Sequence, residues 1–247
     1  MRTIEVCCGS LRDAMEAQAG GAERIELCSA LELGGLTPSY GLVKAVQTMC
    51  PDLKINVIIR PRGGDFVYNG EEVTQMLFDI AQCRKMGVYG VVIGALWPDG
   101  SIDTDVCRQL VKAAKSSLHS DGLPPLSVTF HRAFDVCRDT ACELEKLILL
   151  HCDRLLTSGQ RENALNGAEN IAELVRMAAG RITVMPGCGI TPDNIAEIEE
   201  ITGATEFHST ARGTAYINKV YANPHVDFGE NQPQRRTDRS VVEALVG

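Results

Sequence analysis

Eight short apolar blocks, each followed by a stretch long enough for a helix, recur along 247 residues and predict a single TIM (β/α)8 barrel built on a closed parallel sheet. The blocks are Ile4–Cys7, Ile25–Cys28, Ile55–Arg62, Val91–Leu96, Leu126–Asp135, Leu155–Gly159, Ile182–Gly189 and Glu206–Arg212. Two further observations support one barrel. The length is close to the ~250 residues typical of this architecture, and no Pro-, Ser- or Gly-rich linker interrupts the βα spacing. In such a barrel the C-terminal strand ends open onto one mouth, and residues there read as functional.

The elements follow in order. Strand 1 is expected over Thr3–Cys8, with Ser10 capping a helix to about Ala19 that Gly20-Gly21 terminates. Strand 2 covers Arg24–Cys28, and Thr37 as N-cap with Pro38 at the first helical position opens helix 2. Strand 3 runs into Arg60-Pro61-Arg62-Gly63-Gly64-Asp65, and helix 3 spans Glu71–Met86 before Gly87. Strand 4 is Val91–Leu96 and helix 4 is Asp103–Ser116. Strand 5 carries Thr129–Asp135, followed by helix 5 over Thr140–Leu150. Strand 6 ends at Thr157-Ser158-Gly159, and helix 6 covers Asn163–Ala179. Strand 7 leads into Pro186-Gly187-Cys188-Gly189, and helix 7 starts after Thr191-Pro192 and stops before Gly203. Strand 8 carries Glu206–Thr210. An irregular C-terminal arm is expected over about 213–237, then a last helix over Arg239–Leu245, so that 1–247 form one domain.

Bulk properties exclude several classes. The hydrophobic content of 45% and charged content of 23% are ordinary for a globular domain with a large core. The net charge is −8, and no run of Lys or Arg marks a nucleic-acid or membrane patch. No apolar run approaches the ~18 residues of a membrane span. The chain enters a strand directly, so a reducing compartment is expected, with most of the ten cysteines acting as buried thiols.

The first chemical signal is an internal echo. Ile4-Glu5-Val6-Cys7 and Ile25-Glu26-Leu27-Cys28 lie on consecutive strands. Strand side chains alternate in direction, so Ile4 and Val6 packed outward place Glu5, Cys7, Glu26 and Cys28 inward. Two inward thiols on strands ~4.8 Å apart suit a soft metal such as Cu(I), a disulfide, or plain core packing. Cys7 and Cys8 point to opposite faces, and Cys137-x4-Cys142 lacks a second pair. The second signal is a set of polar strand ends: Glu5, Glu26, Arg60, Arg62, Asp65, His131, Asp135, Glu206 and His208. All nine are expected at or near the mouth. Arg60 and Arg62 share parity and are expected to point inward, where arginine forks a carboxylate or phosphate. Arg60 is also expected to lower the pKa of the thiols. His131 is placed to act as acid or base. The third signal, Gly187-Cys188-Gly189-Ile190-Thr191-Pro192, fits either a phosphate loop after strand 7 or a tight turn.

These residues resemble a known family. Ile59–Phe66, Val128–Asp135, Leu156–Gly159 and Thr205–His208, with Glu23–Cys28 and Gly34–Ser39, are similar to the motifs of the CutC family of copper homeostasis proteins. The resemblance runs from strand 1 to about Arg212, and the two Ile-Glu-x-Cys strands look closer to animal members. It implies a TIM-type barrel, a cytoplasmic or nuclear homo-oligomer (dimer or tetramer) and a role in copper handling. In animal members it implies Cu(I) binding by one cysteine each from strands 1 and 2, which here are Cys7 and Cys28. Two departures stand out. Gly187-Cys188-Gly189 replaces an expected glycine triplet, which narrows an anion pocket or adds a third thiol, and Cys8-Gly9-Ser10 lacks the usual acidic residue. The leading expectation is thus an intracellular protein that binds copper ion as Cu(I). The alternative is a barrel enzyme acting on a small anionic metabolite, a carboxylate or phosphate. There Glu5, Arg60, Arg62, Asp65 and His208 bind the ligand, and His131, Glu26, Glu206 and Asp135 are the catalytic candidates.

Overall fold

The computed structural model describes residues 2–115, 122–214, 221, 223–226 and 234–247. Eight strands, β1 (Thr3–Cys8), β2 (Arg24–Leu27), β3 (Lys54–Ile58), β4 (Gly90–Ile93), β5 (Ser127–Phe130), β6 (Arg154–Thr157), β7 (Thr183–Pro186) and β8 (Glu206–Ser209), alternate with eight helices. The helices are α1 (Leu11–Ala19), α2 (Tyr40–Met49), α3 (Gly70–Met86), α4 (Thr104–Lys115), α5 (Thr140–Leu149), α6 (Ala168–Ala178), α7 (Ile195–Thr202) and α8 (Arg239–Val246). The strands pair in parallel in the order β7-β6-β5-β4-β3-β2-β1-β8, and a parallel bridge between Gly187 and His208 brings the two ends of the sheet together. This is the (β/α)8 barrel that the block spacing predicts.

Alternation along each strand divides the core. Ile4, Val6, Cys8, Ile25, Leu27, Val57, Val91, Phe130, Leu155 and Phe207 face outward into the layer between sheet and helices, which is the main hydrophobic core. Cys7, Cys28, Ile58 and Val92 form a separate small cluster inside the barrel. The parity assigned to the two Ile-Glu-x-Cys strands is therefore the one observed. Among the described residues no helix is long and apolar enough to cross a membrane.

Local chemistry explains where the elements stop, and it corrects several boundaries. Ser10 caps α1, accepting from the Asp13 N–H, as expected. The cap of α2 is Ser39 and not Thr37. Thr37 is drawn off to β3, donating its N–H to the Arg60 carbonyl at 3.0 Å and accepting the Arg60 N–H at 2.9 Å. β5 ends at Phe130, so His131–Asp135 is no strand: the chain turns into a short 3-10 helix over Arg132–Val136, with His131 as its cap. α6 begins at Ala168, five residues later than Asn163 predicts. Residues before it are held by the β7 loop, where the Ala164 N–H reaches the Cys188 carbonyl at 2.9 Å. Gly167 also lies so close to the Ser158 carbonyl that no Cβ fits there. The arm expected over 213–237 lies partly outside the described residues. Its ends meet in an antiparallel bridge between Arg212 and Thr237, and Thr237 donates its N–H to Asp13 at 3.0 Å.

Candidate functional site

β1 and β2 bring the thiols together. Cys7 stands opposite Glu26 in the register, and Cys28 follows just past the end of β2. The Cys7 and Cys28 Sγ atoms are 3.8 Å apart. Glu26 Oε2 lies between them, 3.4 Å from Cys7 Sγ and 3.5 Å from Cys28 Sγ. From β8, His208 places Nε2 3.7 Å from the same carboxylate oxygen. All four residues are buried. Cys7, Glu26 and His208 carry donor atoms within 4.8 Å of one another, close enough to share one metal ion. One soft sulfur, an imidazole and a carboxylate form a donor set suited to a thiophilic metal, and the second sulfur, Cys28, adjoins it at 3.8 Å from Cys7.

Beneath this cluster runs a column of alternating charge. His208 Nδ1 is 2.9 Å from Glu5, which also accepts from Arg24 at 2.7 Å and Asn56 at 2.7 Å. Arg24 reaches Glu206 as well, and Arg154 closes the column from the far side at 2.7 Å. Burial works against an ionised Glu5, yet the His208, Arg24 and Asn56 contacts overcome it and hold its carboxyl at about 2. Burial also opposes a charged His208, but hydrogen bonds to Cys7 and Glu5 and the charge of Glu26 raise its pKa well above the ordinary value. Closely packed acids in one buried space cannot all ionise. The hydrogen bond from Cys28 lowers the Cys7 thiol, and that same bond together with burial raises Cys28. Burial and the neighbouring Cys7 charge push Glu26 up to about 8. The cation acting on Cys7 is His208, where the sequence suggests Arg60.

Above the cluster opens a cavity of about 480 Å³. Cys7, Glu26 and His208 line it, as do Arg60 and His131. Cys28 is buried and adjoins it through Cys7 and Glu26. Other expected mouth residues do not line the cavity. Glu206 begins β8 opposite Thr3, so it sits at the N-terminal end of the barrel, tied to Arg24 and Arg154. Arg62 lies beyond the end of β3, where strand parity no longer applies. It turns outward to pair with Glu72 and Asp65 and to stack on Tyr68. Asp65 goes with it and is exposed. Asp135 binds Arg132 at 2.7 Å and accepts from Thr157 and the Ser158 N–H, which ties the 3-10 helix to the end of β6. Cys188 lines the cavity, but its thiol donates to the Glu162 carbonyl at 3.2 Å.

Sequence reasoning passed over Arg24, Asn56 and Arg154, although Arg24 precedes Glu26 by two and shares its inward parity. It also passed over Arg132, Arg212 and Arg235 at the cavity wall. Arg132 follows the strand-end histidine, whereas no periodicity marks the other two.

A thiol, carboxylate and imidazole cluster at the C-terminal mouth of a (β/α)8 barrel defines a barrel protein with a candidate soft-metal centre. The comparisons with known proteins are consistent with this class. Residues 2–213 match the CutC family profile. Family protein CutC of Parabacteroides distasonis is 49% identical over 250 residues, covering 99% of each chain. Family protein CutC of Xylella fastidiosa (strain Temecula1) is 48% identical over 244 residues, covering 98% of this chain and 87% of its own. The crystal structure of the protein assigned as copper homeostasis protein CutC in Streptococcus agalactiae superposes with a TM-score of 0.78 at 33% identity, covering 85% of this chain and 99% of that one. The chain belongs to the CutC family.

Proposed function

We propose that this protein binds Cu(I) in copper homeostasis through Cys7 and Cys28, with Glu26 and His208 completing the site. The observation that carries the reading is the 3.8 Å separation of two inward sulfurs beside a buried imidazole. With metal–thiolate bonds of about 2.3 Å, as for zinc, sulfurs at that separation subtend about 110° at an ion. Such a bent pair leaves room for a third ligand, and Glu26 Oε2 or His208 Nε2 is at hand. A straight two-sulfur site needs the sulfurs to part to about 4.6 Å on the same bond length, a movement under one ångström. Thiolates select Cu(I) over harder ions. The family assignment and the copper homeostasis description of the Streptococcus agalactiae relative point the same way.

The test is competition with a Cu(I) chelator on reduced protein under anaerobic conditions. Wild type is expected to hold about one ion per chain, and Cys7→Ser and Cys28→Ser each to lose most of it. Because binding releases protons, affinity should fall as the pH drops. Equal binding by all three proteins removes these cysteines from the site. The same family reading carries a homo-oligomer, dimer or tetramer, in the cytoplasm or nucleus. Light scattering that returns the 26.8 kDa of one chain removes the oligomer.

A further inference from the structure

We infer that the mouth above the thiol pair is a second binding site, one for a small oxyanion-bearing metabolite, a carboxylate or phosphate ester, whose oxygen accepts from the Nε2–H of His131 while Arg60 meets its charge. The inference does not depend on copper; it rests on two unsatisfied buried groups and on the charge of the cavity wall.

His131 comes first. The Ala133 N–H donates to its Nδ1 at 3.2 Å, so the proton of the neutral ring sits on Nε2. That Nε2 is buried and has no hydrogen-bond partner among the described residues. Buried polar groups are nearly always paired, so an orphan donor in a cavity wall calls for an acceptor. The ring is also fixed in place. It occupies the space where a Cβ on residue 94 would lie, which only Gly94 leaves open. Phe66 packs on its other side, with centroids 5.0 Å apart and planes at 48°. Burial and the nearby Arg60 charge lower the His131 pKa to about 3, so the ring stays a neutral donor at physiological pH.

Arg60 is the second group. It is 4% exposed, and its guanidinium donates to the Leu33 carbonyl at 2.8 Å, the Gly35 carbonyl at 3.2 Å and the Gly64 carbonyl at 2.8 Å. Among the described residues its buried Nε has no hydrogen-bond partner, and no carboxylate lies within ion-pair distance of the guanidinium. Among the described residues this buried cation meets carbonyls, the Phe66 ring and the Tyr68 hydroxyl, none of which carries an opposing charge, so it retains charge for a ligand.

The remainder of the wall agrees. Arg132, Arg212 and Arg235 line the cavity, and among the described residues Glu26 is the only acid that does. The mouth is thus locally cationic in a chain of net charge −8. Residues 188–191 and 209–212, following β7 and ending β8, supply another part of the wall, where barrels of this type commonly hold phosphate. The cavity of about 480 Å³ falls within the range of about 300–1,000 Å³ for small-molecule sites.

The experiment uses reduced, metal-free full-length protein and three probes: orthophosphate, glycolate and phosphoglycolate. Titration calorimetry should show millimolar or tighter binding of at least one, and the preference between the first two assigns the anion class. His131→Phe, which keeps a ring against Gly94, should weaken that binding about tenfold, the loss of one hydrogen bond in a desolvated site. Arg212→Gln, a surface change that spares the fold, should weaken it severalfold, and Arg62→Ala should leave it unchanged. Nitrogen NMR of the His131 ring gives a readout that needs no variant: Nε2 should be the protonated nitrogen, and its resonance should move on titration. The inference is overturned if no probe binds at millimolar concentration. It is equally overturned if the His131 resonance stays still, or if Arg62→Ala weakens binding as much as Arg212→Gln.

Discussion

Glu5→Gln removes one charge from the middle of the barrel's ionic column and keeps the shape of the side chain. In the native protein Glu5 is fully buried and contacts His208, Arg24 and Asn56. Holding its carboxyl at about 2 against an ordinary 4.5 is worth about 3 kcal/mol, at roughly 1.4 kcal/mol per tenfold in proton affinity. An independent estimate agrees, since breaking a buried ion pair typically costs about 3–5 kcal/mol. For a chain of this size, each kcal/mol moves the Tm by about 2–4 °C, so the variant should melt roughly 6–12 °C lower at pH 7. The pH dependence identifies the cause. The unfolded carboxyl takes up its proton near 4.5, whereas the folded one stays ionised down to about 2. Between those values the unfolded state binds more protons, so this stabilisation is complete above 4.5 and disappears as the pH falls to 2. Urea denaturation followed by circular dichroism, run at steps from pH 7 towards pH 3, should show the gap between wild type and variant closing. A gap that stays constant with pH, or is below 1 kcal/mol at neutrality, would refute the account of the column.

Two further substitutions probe the mouth. Gly94→Ala places a methyl inside contact distance of His131 Cε1 and Nδ1, so the ring must move. It should cost about 1–3 kcal/mol as an overpacked site does and displace the His131 ring signals in NMR; unchanged ring signals would show that Gly94 does not set its position. Cys188 holds φ at +78°, a left-handed conformation that costs a non-glycine residue about 1–2 kcal/mol. Glycine there relieves the strain but adds about 0.5–1 kcal/mol of unfolded-chain freedom, so Cys188→Gly should equal or slightly exceed wild type in urea denaturation, and a loss above 1 kcal/mol would contradict the strain.

The barrel is legible in the sequence because each strand is marked by an apolar block and each helix by a cap or a stop. Ser10, Gly87 and Gly203 each act within a few residues of chain, which is the range a sequence reading can follow. The boundaries that shift do so where a distant residue competes for the same group. Thr37 serves Arg60 and leaves the capping of α2 to Ser39. The stretch before α6 serves the β7 loop. His131 turns back to bond Ala133 and so ends β5 early. Nothing in the local pattern announces these contacts.

Parity along a strand reveals which face a side chain takes, but not its depth along the barrel axis, and depth separates the roles here. Glu206 and His208 share strand, face and an inward direction. Two residues of strand rise about 6.6 Å, and over that distance the environment changes completely. Glu206 meets Arg24 and Arg154 at the N-terminal end, where burial resists its charge and the two guanidiniums hold its pKa below the ordinary value. His208 meets Glu5 on one ring nitrogen and approaches Glu26 and the Cys7 thiol with the other. The same offset separates Arg24 from Glu26 on β2 and Glu5 from Cys7 on β1. Each of the three strands therefore contributes one residue to an ion-paired layer and the next inward residue to the donor cluster above it. The lower layer fixes His208 through Nδ1 and leaves Nε2 facing the sulfur side, so the position of the candidate metal ligands depends on ion pairs that no ligand touches.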